Sequence, residues 1–435
     1  WKKNLLIKYL CPRDFRRGEM EEIMKVSTYR SEITPTEEFL PCYLSGHAIR
    51  TELSNGIIDP LWATSLVLDI DGTKLVWVSV ELIGLDKACT DKIRGQIRDK
   101  YNVDVNLINI DFVHTHSAPE YRKVNYFGGP GEVPGYMDFV KKQILKAVDT
   151  CFKQNFIEVE AYYDTVTIDG CYCNRNGMEK PCDKSVTTVE FKNDDKVVAG
   201  LCNFTCHSTV LGPQNLKVSS DLAGYVARAC EKQWGVYPVI AIGAAGDMSN
   251  RHYRQGNDLN ELNRVGNEMM SQVFYENRTV KKLNITKPKV NLYRFHEVYQ
   301  PELENKQKQY DEIKSKVENA KTYDEKKTFT SALAMAKKGL ACNPFDLDLQ
   351  CTYVDLGDLR YFVIPAELFS RFGISIKKAM NCKCPILWGY CNYTVGYLGN
   401  IEDYGASFET ASSDIPKGTT ERITEEIIQF IKESN

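Results

Sequence analysis

Long apolar runs are missing from this 435-residue chain, and no stretch approaches the roughly 20 residues that a membrane-spanning helix needs. A charge excess is missing as well, because 55 basic and 58 acidic residues leave a formal net charge of −3. Without a dense basic stripe, a dedicated nucleic-acid binder is excluded. Internal repeats and low-complexity tracts are also absent, and the length suffices for one large or two ordinary domains.

The C-x-x-C spacing does not occur, although the chain contains fifteen cysteines, a high and odd number. They are scattered, with two C-x-C pairs at Cys171/Cys173 and Cys382/Cys384. Neither a zinc finger nor a small disulfide-rich secreted scaffold fits this distribution. We therefore expect most of these cysteines to be buried thiols in a reducing cytoplasm, where cysteine behaves as a small hydrophobic residue.

The N-terminal segment lacks the apolar core and small-residue cleavage site of a signal peptide, since Lys8 interrupts its short apolar patch. We interpret residues 1–25 as an extension, with Met20 or Met24 as candidate natural starts, and residues 26–435 as the main domain. A cytoplasmic location follows as an expectation. Oligomeric state is left open, with a homo-oligomer as one alternative.

Strands and helices alternate along the chain. Asp71-Gly72 and Gly357-Asp358 are turn signals that predict β-hairpins over 65–82 and 352–364. A third hairpin is predicted over 185–206. Further strands are expected over 107–113 and 237–243, and helices over 86–101, 136–153 and 223–234. Because hairpin-linked strands mix with helices, the sequence predicts an α/β class fold with layered, mixed sheets flanked by helices.

Residues 301–344 are charged and helical, unlike their surroundings. Thr322 and Glu325 form a plausible capping box at the start of a second helix. A thin apolar stripe marks the first helix, made up of Leu303, Tyr310, Ile313 and Val317. We predict an antiparallel helical hairpin inserted into the main domain, and favour packing or a dimer contact over a substrate lid as its role.

Polar residues follow four apolar strands directly. The strands end before His114-Thr115-His116, His207, Asp247-Met248-Ser249-Asn250 and Glu367. Open α/β sheets bind ligands at the carboxyl ends of their strands, so these positions are site candidates. Two histidines two residues apart project from the same face of an extended chain and could bind zinc.

Each of these residues also has a structural interpretation. His114 and His116 could be hydrogen-bonded structural histidines, and His207 taken alone favours such a role. Glu367 could pair with a nearby cation, and Ser249 could cap a helix. Spacing alone cannot assemble residues from such distant elements.

Eight segments, taken in order, resemble motifs of the neutral ceramidase family, the neutral/alkaline non-lysosomal ceramidases. They are "STYRSEITP", "FVHTHSAPE", "YCNRN", "NFTCHST", "VSSDLAGYVA", "GAAGDMSN", "FVIPAELFSRFG" and "CNYTVGYLGNIEDY". Together they cover roughly residues 26–415. An ordered series of this length is far more specific than any single motif.

The resemblance implies a catalytic zinc ion. Its ligands in the family fall on His114, His207, Glu367 and Tyr397, a donor set that suits a hydrolytic zinc with an open position. The family further implies that His116 stabilises the substrate oxyanion and that Arg175 hydrogen-bonds a substrate oxygen. Ser249, Tyr397, His116 and Arg175 are therefore the expected catalytic residues.

The resemblance places substrate-binding residues more weakly. Asp221 and Tyr225 match the S-S-D…G-Y run, and Asp247 and Asn250 flank the family's serine motif, where Ser249 is expected to position substrate. The chain departs from the family pattern where Thr394, Phe408 and Asn250 replace two tyrosines and a proline. These departures leave the implied ligands intact and alter the pocket around them.

The expected activity is hydrolysis of an amide bond by metal-activated water, with an N-acylsphingosine-like or related N-acyl substrate. A non-lipid ester, lactone, glycan or cyclitol substrate is one alternative. A non-catalytic binding protein of the same fold is another. The expected partner is a small-molecule or lipid-like amide, with no nucleic acid and no transmembrane segment.

Overall fold

The computed structural model describes residues 23–124 and 130–435. The helices within these ranges are α1 (Lys87–Tyr101), α2 (Tyr136–Lys153), α3 (Asp221–Trp234), α4 (Leu259–Val273), α5 (Leu303–Glu318), α6 (Tyr323–Gly339), α7 (Ser370–Met380), α8 (Phe408–Ala411) and α9 (Thr419–Ser434). The strands are β1 (Met24–Glu32), β2 (Gly56–Ile57), β3 (Trp62–Ile70), β4 (Thr73–Val80), β5 (Ile108–Phe112), β6 (Ile157–Glu158), β7 (Glu160–Thr167), β8 (Cys173–Asn174), β9 (Ser185–Asn193), β10 (Lys196–Phe204), β11 (Lys217–Val218), β12 (Val239–Ile242), β13 (Met248–Ser249), β14 (Lys281–Leu283), β15 (Ile285–Tyr299), β16 (Phe345–Gly357), β17 (Leu359–Val363), β18 (Glu367–Leu368), β19 (Cys384–Trp388) and β20 (Tyr397–Leu398).

Three mixed sheets form the body of the protein. The first has the strand order β5-β4-β3-β1-β6, the second β12-β10-β9-β7-β14, and the third β15-β16-β17-β19. Each sheet contains one parallel pair among its antiparallel neighbours: β4–β5, β10–β12 and β17–β19. The predicted layered α/β fold with mixed sheets is confirmed.

The three predicted hairpins are present as β3–β4, β9–β10 and β16–β17. At the first turn, Asp71 and Gly72 have φ values of 49° and 87°. Positive φ at both central positions is the type I′ pattern that the Asp-Gly pair favours. Most of the predicted extension 1–25 lies outside the described residues, and β1 begins at Met24.

Aromatic side chains join the three sheets. Trp77 of the first sheet lies with its ring centroid 6.4 Å from Phe191 of the second. It also lies 5.7 Å from Tyr361 and 5.5 Å from Trp388, both in the third sheet. Because these rings are almost fully buried, the sheets share one continuous apolar core.

Helices cover the outer faces of the sheets. α2 packs on β1 and β3, whereas α3 packs against the second sheet and α7 against the third. Of the fourteen cysteines among the described residues, each is a free thiol and ten are buried, as expected from their scattered positions. No helix in the described ranges combines the length and apolar composition needed to cross a bilayer.

The inserted helical hairpin is formed by α5 and α6. The capping box is present, because Thr322 accepts from the Glu325 N–H while the Glu325 carboxylate accepts from the Thr322 N–H. Ile313 is buried as predicted, but Leu303 is 60% exposed, so the apolar stripe of α5 is shorter than predicted. The hairpin packs on α8, which places α6 beside the site described next.

Candidate metal centre

Two imidazoles and one carboxylate converge at the carboxyl edges of the sheets. The Nε2 atoms of His114 and His207 lie 3.3 and 3.2 Å from the same Oε2 atom of Glu367. His114 follows β5, His207 follows β10, and Glu367 begins β18 just after β17. The parallel strand pairs direct these ends toward a common point, as expected for sites at strand carboxyl ends.

Backbone carbonyls orient both imidazoles. His114 Nδ1 lies 2.9 Å from the carbonyl oxygen of Ile83, and His207 Nδ1 lies 2.6 Å from that of Ala245. A nitrogen facing a carbonyl must carry the proton, so each Nε2 presents its lone pair toward Glu367. Metal-binding histidines are oriented by this kind of second hydrogen bond.

The electrostatics suit metal ligands. Burial alone would raise the pKa of Glu367, but the neighbouring His114 and His207 hold that pKa well below its ordinary value. Burial, followed by the charge of Arg175, lowers the pKa of His207 to about 4. At neutral pH the carboxylate is therefore charged and this imidazole neutral, the protonation states that metal binding requires.

His116 contributes a third imidazole. Its ring centroid lies 5.0 Å from that of His114, and ligand atoms of His114, His116 and His207 all lie within 4.8 Å of one another. We predicted that His114 and His116 project from the same face of an extended chain. Instead, His114 has a φ of 56° and lies beyond the end of β5. The two imidazoles therefore meet through a left-handed turn rather than through strand alternation.

Tyr397 lies beside Glu367 because β18 and β20 pair in parallel, with these two residues in register. Arg175 donates from Nη2 to the Tyr397 hydroxyl over 3.3 Å. Burial and then the charge of Glu367 raise the pKa of Tyr397 well above its ordinary value. The phenol is thus neutral in the protein alone, and Arg175 is the cation placed to stabilise a phenolate.

A metal ion fits this group of side chains. His207 Nε2, Glu367 Oε2 and both ring nitrogens of His116 are buried without a hydrogen-bond partner among the described residues. Such atoms are costly to bury unless something binds them. Imidazole and carboxylate donors suit zinc and neighbouring transition metals. The fourth donor could be Tyr397 or His116.

Glu409 is a site residue that the sequence reasoning missed. Its Oε1 accepts from Arg175 Nε at 2.5 Å, while its Oε2 accepts from Asn176 at 3.2 Å. Arg175 also donates to the carbonyl of Gly246 at 2.7 Å. These bonds fix the guanidinium under Tyr397. Glu409 lies on α8, away from any strand end, so no sequence signal marked it.

His47 and Tyr390 were also missed. The His47 ring centroid lies 5.1 Å from that of His116, and the Tyr390 ring lies 4.4 Å from that of His114. Tyr390 follows the end of β19, so the strand-end signal could have found it. His47 lies in an irregular segment that carries no such signal.

Ser249 lies close to the candidate centre, whereas Asn250 is outside the set of described residues that line the cavity. Ser249 lines the cavity beside the candidate metal ligands, and its Oγ accepts from the Arg251 N–H at 3.2 Å. Asn250 is buried, and its Nδ2 has no hydrogen-bond partner among the described residues. Asp247 instead braces the chain beneath Ser249, accepting from the Ser370 N–H at 2.7 Å, and burial raises its pKa to about 6.

Asp221 and Tyr225 lie on α3, outside the set of described residues that line the cavity. Asp221 is fully buried and accepts from the backbone N–H groups of Val210 and Leu211, each at 3.1 Å. Burial raises its pKa to about 7. Tyr225 donates its hydroxyl to Asn267 at 2.6 Å. Asp221 therefore fixes the start of α3 to the loop before it, and Tyr225 links α3 to α4.

A cavity of about 430 Å³ opens over the metal centre. Its lining combines the centre itself with apolar and cationic side chains. The apolar lining residues include Ile83, Met335, Phe345, Val395, Phe408 and Ile415. Four of the lining residues come from α6: Lys327, Thr328, Ser331 and Met335. The helical hairpin therefore packs on α8 and also forms one wall of the cavity.

The fold matches solved ceramidase structures. A neutral ceramidase from Pseudomonas aeruginosa superposes with a TM-score of 0.72 at 16% sequence identity, over 95% of this chain and 74% of that chain. A ceramidase complexed with C2 superposes with a TM-score of 0.72 at 15% identity, over 94% and 75%. No protein-family model and no curated protein matches. The resemblance inferred from the motifs is thus confirmed at the level of the fold.

Proposed function

We propose that this protein is a zinc-dependent hydrolase that cleaves the amide bond of an N-acyl substrate. The observation that carries the proposal is the convergence of His114 Nε2 and His207 Nε2 on Glu367 Oε2, within 3.3 Å. Tyr397 is the proposed fourth ligand, because it neighbours Glu367 in register and Arg175 can stabilise its phenolate. The structural similarity to solved ceramidases supports the same assignment.

When bound, zinc supplies a Lewis acid and lowers the pKa of a coordinated water to about 7. The chain's own residues supply orientation. His116 would hydrogen-bond the substrate carbonyl oxygen, and a neutral imidazole suits this role because burial lowers its pKa well below the ordinary value. Ser249 lines the cavity near this position and would hold the amide through its hydroxyl.

We propose that Arg175 acts by keeping Tyr397 in position. It donates to Glu409 and to the Gly246 carbonyl, and Asn176 holds the Glu409 carboxylate in turn, so its guanidinium is held in one orientation. A planar, fixed fork loses less entropy on binding an oxygen than a flexible lysine. Arg175 can therefore keep Tyr397 oriented throughout the reaction.

The apolar part of the cavity supports an acyl substrate. Phe345, Phe408 and Ile415 give an acyl chain a surface to bury. A volume of about 430 Å³ lies toward the lower end of ligand pockets, about 300–1,000 Å³. We therefore propose an N-acyl amide with one chain rather than a two-tailed lipid. A cytoplasmic location is also proposed, supported by the free thiols.

The test combines metal analysis with a substrate panel. Protein purified without chelator should contain about one zinc per chain, by the single-centre stoichiometry. It should hydrolyse N-acyl amides in preference to esters and glycosides, and chelator should abolish the activity. His114→Ala should lose both metal and activity. His296→Ala removes a histidine 47% exposed on β15, and should keep both.

The result against the proposal would be His114→Ala protein that retains full zinc and full activity. Zinc-containing protein that cleaves only glycosides or esters would keep the metal assignment and reject the amide.

A further inference from the structure

His116 is held differently from the two imidazoles beside it. The Nδ1 atoms of His114 and His207 each face a backbone carbonyl oxygen, which fixes the orientation of those rings. Both ring nitrogens of His116, in contrast, are buried without a hydrogen-bond partner among the described residues. The orientation of the His116 ring must therefore come from its backbone and from the groups packed around it.

Residues 45–50, which we call the His116 cradle, supply those groups. Gly46 has a φ of 93°, and a Cβ atom at this position would lie 2.3 Å from Cγ and Nδ1 of the His116 ring. Only glycine therefore lets the backbone approach this imidazole so closely. The His47 ring packs edge-on against the same imidazole, with 5.1 Å between the ring centroids. The cradle thus contacts the His116 ring through both backbone and side chain.

Arg50 fixes the cradle to the chain around the candidate metal centre. Its Nη1 donates to the carbonyl oxygens of Ser45 at 3.1 Å and His116 at 2.8 Å. Its Nη2 and Nε donate to the carbonyl oxygens of Gly212 at 3.4 Å and Pro213 at 3.3 Å, in the loop before α3. One guanidinium therefore joins three segments of the chain, and the shortest of its bonds is the one to His116.

The burial of Arg50 is costly, which indicates a specific role. The residue is 8% exposed, and no carboxylate forms an ion pair with it among the described residues. Burial lowers its pKa to about 10, so the guanidinium remains charged at neutral pH. Burying a cation whose direct partners are all carbonyl groups costs free energy that a neutral side chain would not require. What arginine supplies in return is a planar fork that binds several carbonyl groups in fixed directions.

We propose that Arg50 is a positioning residue for His116. By binding the His116 carbonyl, it holds the imidazole against Gly46 and His47, in the orientation from which it meets the substrate carbonyl oxygen. This inference rests on the proposed amidase function, which assigns that contact to His116. Arg50 itself lies outside the described residues that line the cavity. It can still determine kcat, because a displacement of about 1 Å in a catalytic group can lower a rate by about 100-fold.

The first experiment removes the planar fork and keeps the charge. In Arg50→Lys, a single ammonium group cannot bind the same carbonyl oxygens in fixed directions. The values of kcat and kcat/KM should fall together, by about 10- to 100-fold, because the contact between His116 and the oxyanion matters most in the transition state. The zinc content should equal that of the wild type, since no proposed ligand changes.

Arg94→Lys is the matched control. Arg94 is also half-buried and donates to two backbone carbonyl oxygens, those of Ile108 at 2.9 Å and Val105 at 2.8 Å. Ile108 is the first residue of β5, at the end of the strand away from the candidate metal centre. This variant should keep the wild-type kcat. An equal fall in both variants would overturn the inference, because the loss would then come from general destabilisation.

A double-mutant cycle tests whether Arg50 acts through His116. In the His116→Ala background, Arg50→Lys should lower kcat by less than about twofold, because residues that act as one unit are strongly non-additive. The same fall in kcat in both backgrounds would refute the positioning role, since Arg50 would then act independently of His116.

Histidine spectra separate the failure of this inference from the failure of the amidase proposal. The chain contains six histidines, so protein with nitrogen-15-labelled histidine gives few NMR signals, which single-histidine variants assign. Arg50→Lys should move the backbone and ring signals of His116 and leave those of His296, on β15, in place. Moved signals without hydrolysis of any N-acyl amide would reject the amidase proposal and keep the positioning role. Unmoved His116 signals would overturn the positioning role, whatever the activity.

Gly46→Ala is a second variant, which keeps the inference testable if Arg50→Lys does not fold. It leaves Arg50 in place and puts a methyl group against the His116 ring. The His116 signals should move, and kcat should fall by about 10- to 100-fold, as for a displaced catalytic group. A wild-type kcat together with unmoved His116 signals would show that the cradle does not hold this imidazole, and would overturn the inference.

Discussion

At the scale of single residues, the fourth position around the proposed metal is the sharpest question. His116 and Tyr397 both lie next to the group formed by His114, His207 and Glu367. The nitrogens of His116 are buried without a partner among the described residues, whereas Tyr397 accepts from Arg175. A phenol must lose its proton to bind a metal, and the adjacent guanidinium favours that loss.

We predict that Tyr397→Phe weakens zinc affinity by about 10- to 100-fold, the usual cost of losing a supporting or weak ligand. His116→Ala should lower kcat with a change in zinc affinity below about threefold, well under that ligand cost. Competition with a chromophoric chelator measures both affinities. Tyr275→Phe, at a tyrosine 43% exposed, is the control and should match the wild type. A larger loss of zinc from His116→Ala than from Tyr397→Phe would make His116 the ligand.

Glu81 illustrates a residue whose protonation state depends on the fold. It is buried, with Oε1 bonded to the Tyr237 hydroxyl at 2.6 Å and Oε2 to the Trp62 N–H at 2.9 Å. Burial raises its pKa from 4.5 to about 8, despite the lowering effect of the Tyr237 bond. The folded protein therefore holds a proton that the unfolded chain has released between these pH values.

The contribution of protonated Glu81 to the free energy of unfolding should be fully present below pH 4.5 and lost as the pH rises toward about 8. Glu81→Gln keeps the shape and mimics the protonated form. We predict similar free energies of unfolding for variant and wild type at pH 5, and a variant more stable by up to about 5 kcal/mol at pH 9, from about 1.4 kcal/mol per pKa unit. Denaturant unfolding at both pH values measures this. Glu304→Gln changes an exposed carboxylate on α5 and should show no such pH-dependent difference; a gain as large in this control would refute the assignment.

At the scale of elements, short structures position the most important groups. The two-residue strands β18 and β20 place Glu367 opposite Tyr397. The four-residue helix α8 carries Glu409 to Arg175. None of these three elements would be stable alone, because the contacts of so few residues cannot offset the conformational entropy lost on ordering them. The α5–α6 hairpin supports them by packing on α8.

Lys306 links the hairpin to this region. It is 7% exposed, pairs with Asp414 at 2.6 Å and donates to the Ser413 carbonyl at 3.2 Å. We predict that Lys306→Met destabilises the hairpin by about 1–3 kcal/mol, because the half-buried Asp414 carboxylate and Ser413 carbonyl lose their donor. Amide hydrogen exchange should accelerate in α5, and the KM should rise. Lys308→Met, at an exposed neighbour on the same helix, should change neither; unchanged exchange in Lys306→Met would contradict the role of the link.

At the scale of the whole molecule, the proposed metal ligands come from strand ends in all three sheets. His114 follows the first sheet, His207 the second, and Glu367 the third. The shared core around Trp77 holds these edges together. Metal binding should therefore stabilise the assembly of sheets rather than one local loop, because a ligand that binds only the folded state stabilises it by mass action.

Removal of the metal should consequently lower the thermal midpoint of the whole domain. At a free zinc concentration about 1,000 times the dissociation constant, the stabilisation is about 4 kcal/mol. For a chain of this length that corresponds to about 4 °C in Tm, from an unfolding entropy of roughly 2 cal/mol/K per residue. Calorimetry with and without chelator measures the shift. His114→Ala should show no chelator effect; an equal shift in that variant would point to metal bound elsewhere.

Much of this architecture could be predicted from local patterns. Asp71-Gly72 specified a hairpin because few residue pairs adopt positive φ at both turn positions. The strand-end rule selected His114, His207 and Glu367, because strands of all three sheets end at the same region. It passed over Tyr390, although this residue also follows a strand. Glu409 and His47 carried no local signal, since their contacts span more than 60 residues of sequence.

The sequence by itself predicted the three hairpins and the main helices, because these depend on spacing and on the chemistry of neighbouring residues. It indicated the candidate metal ligands through their positions after strands and through the resemblance to the ceramidase family. Only the tertiary structure decided that Arg175 is held by Glu409, that His114 turns through a left-handed conformation, and that α6 forms a wall of the cavity. Those features depend on which distant surfaces pack together. Packing is set by the shape of the whole core, which no single segment encodes.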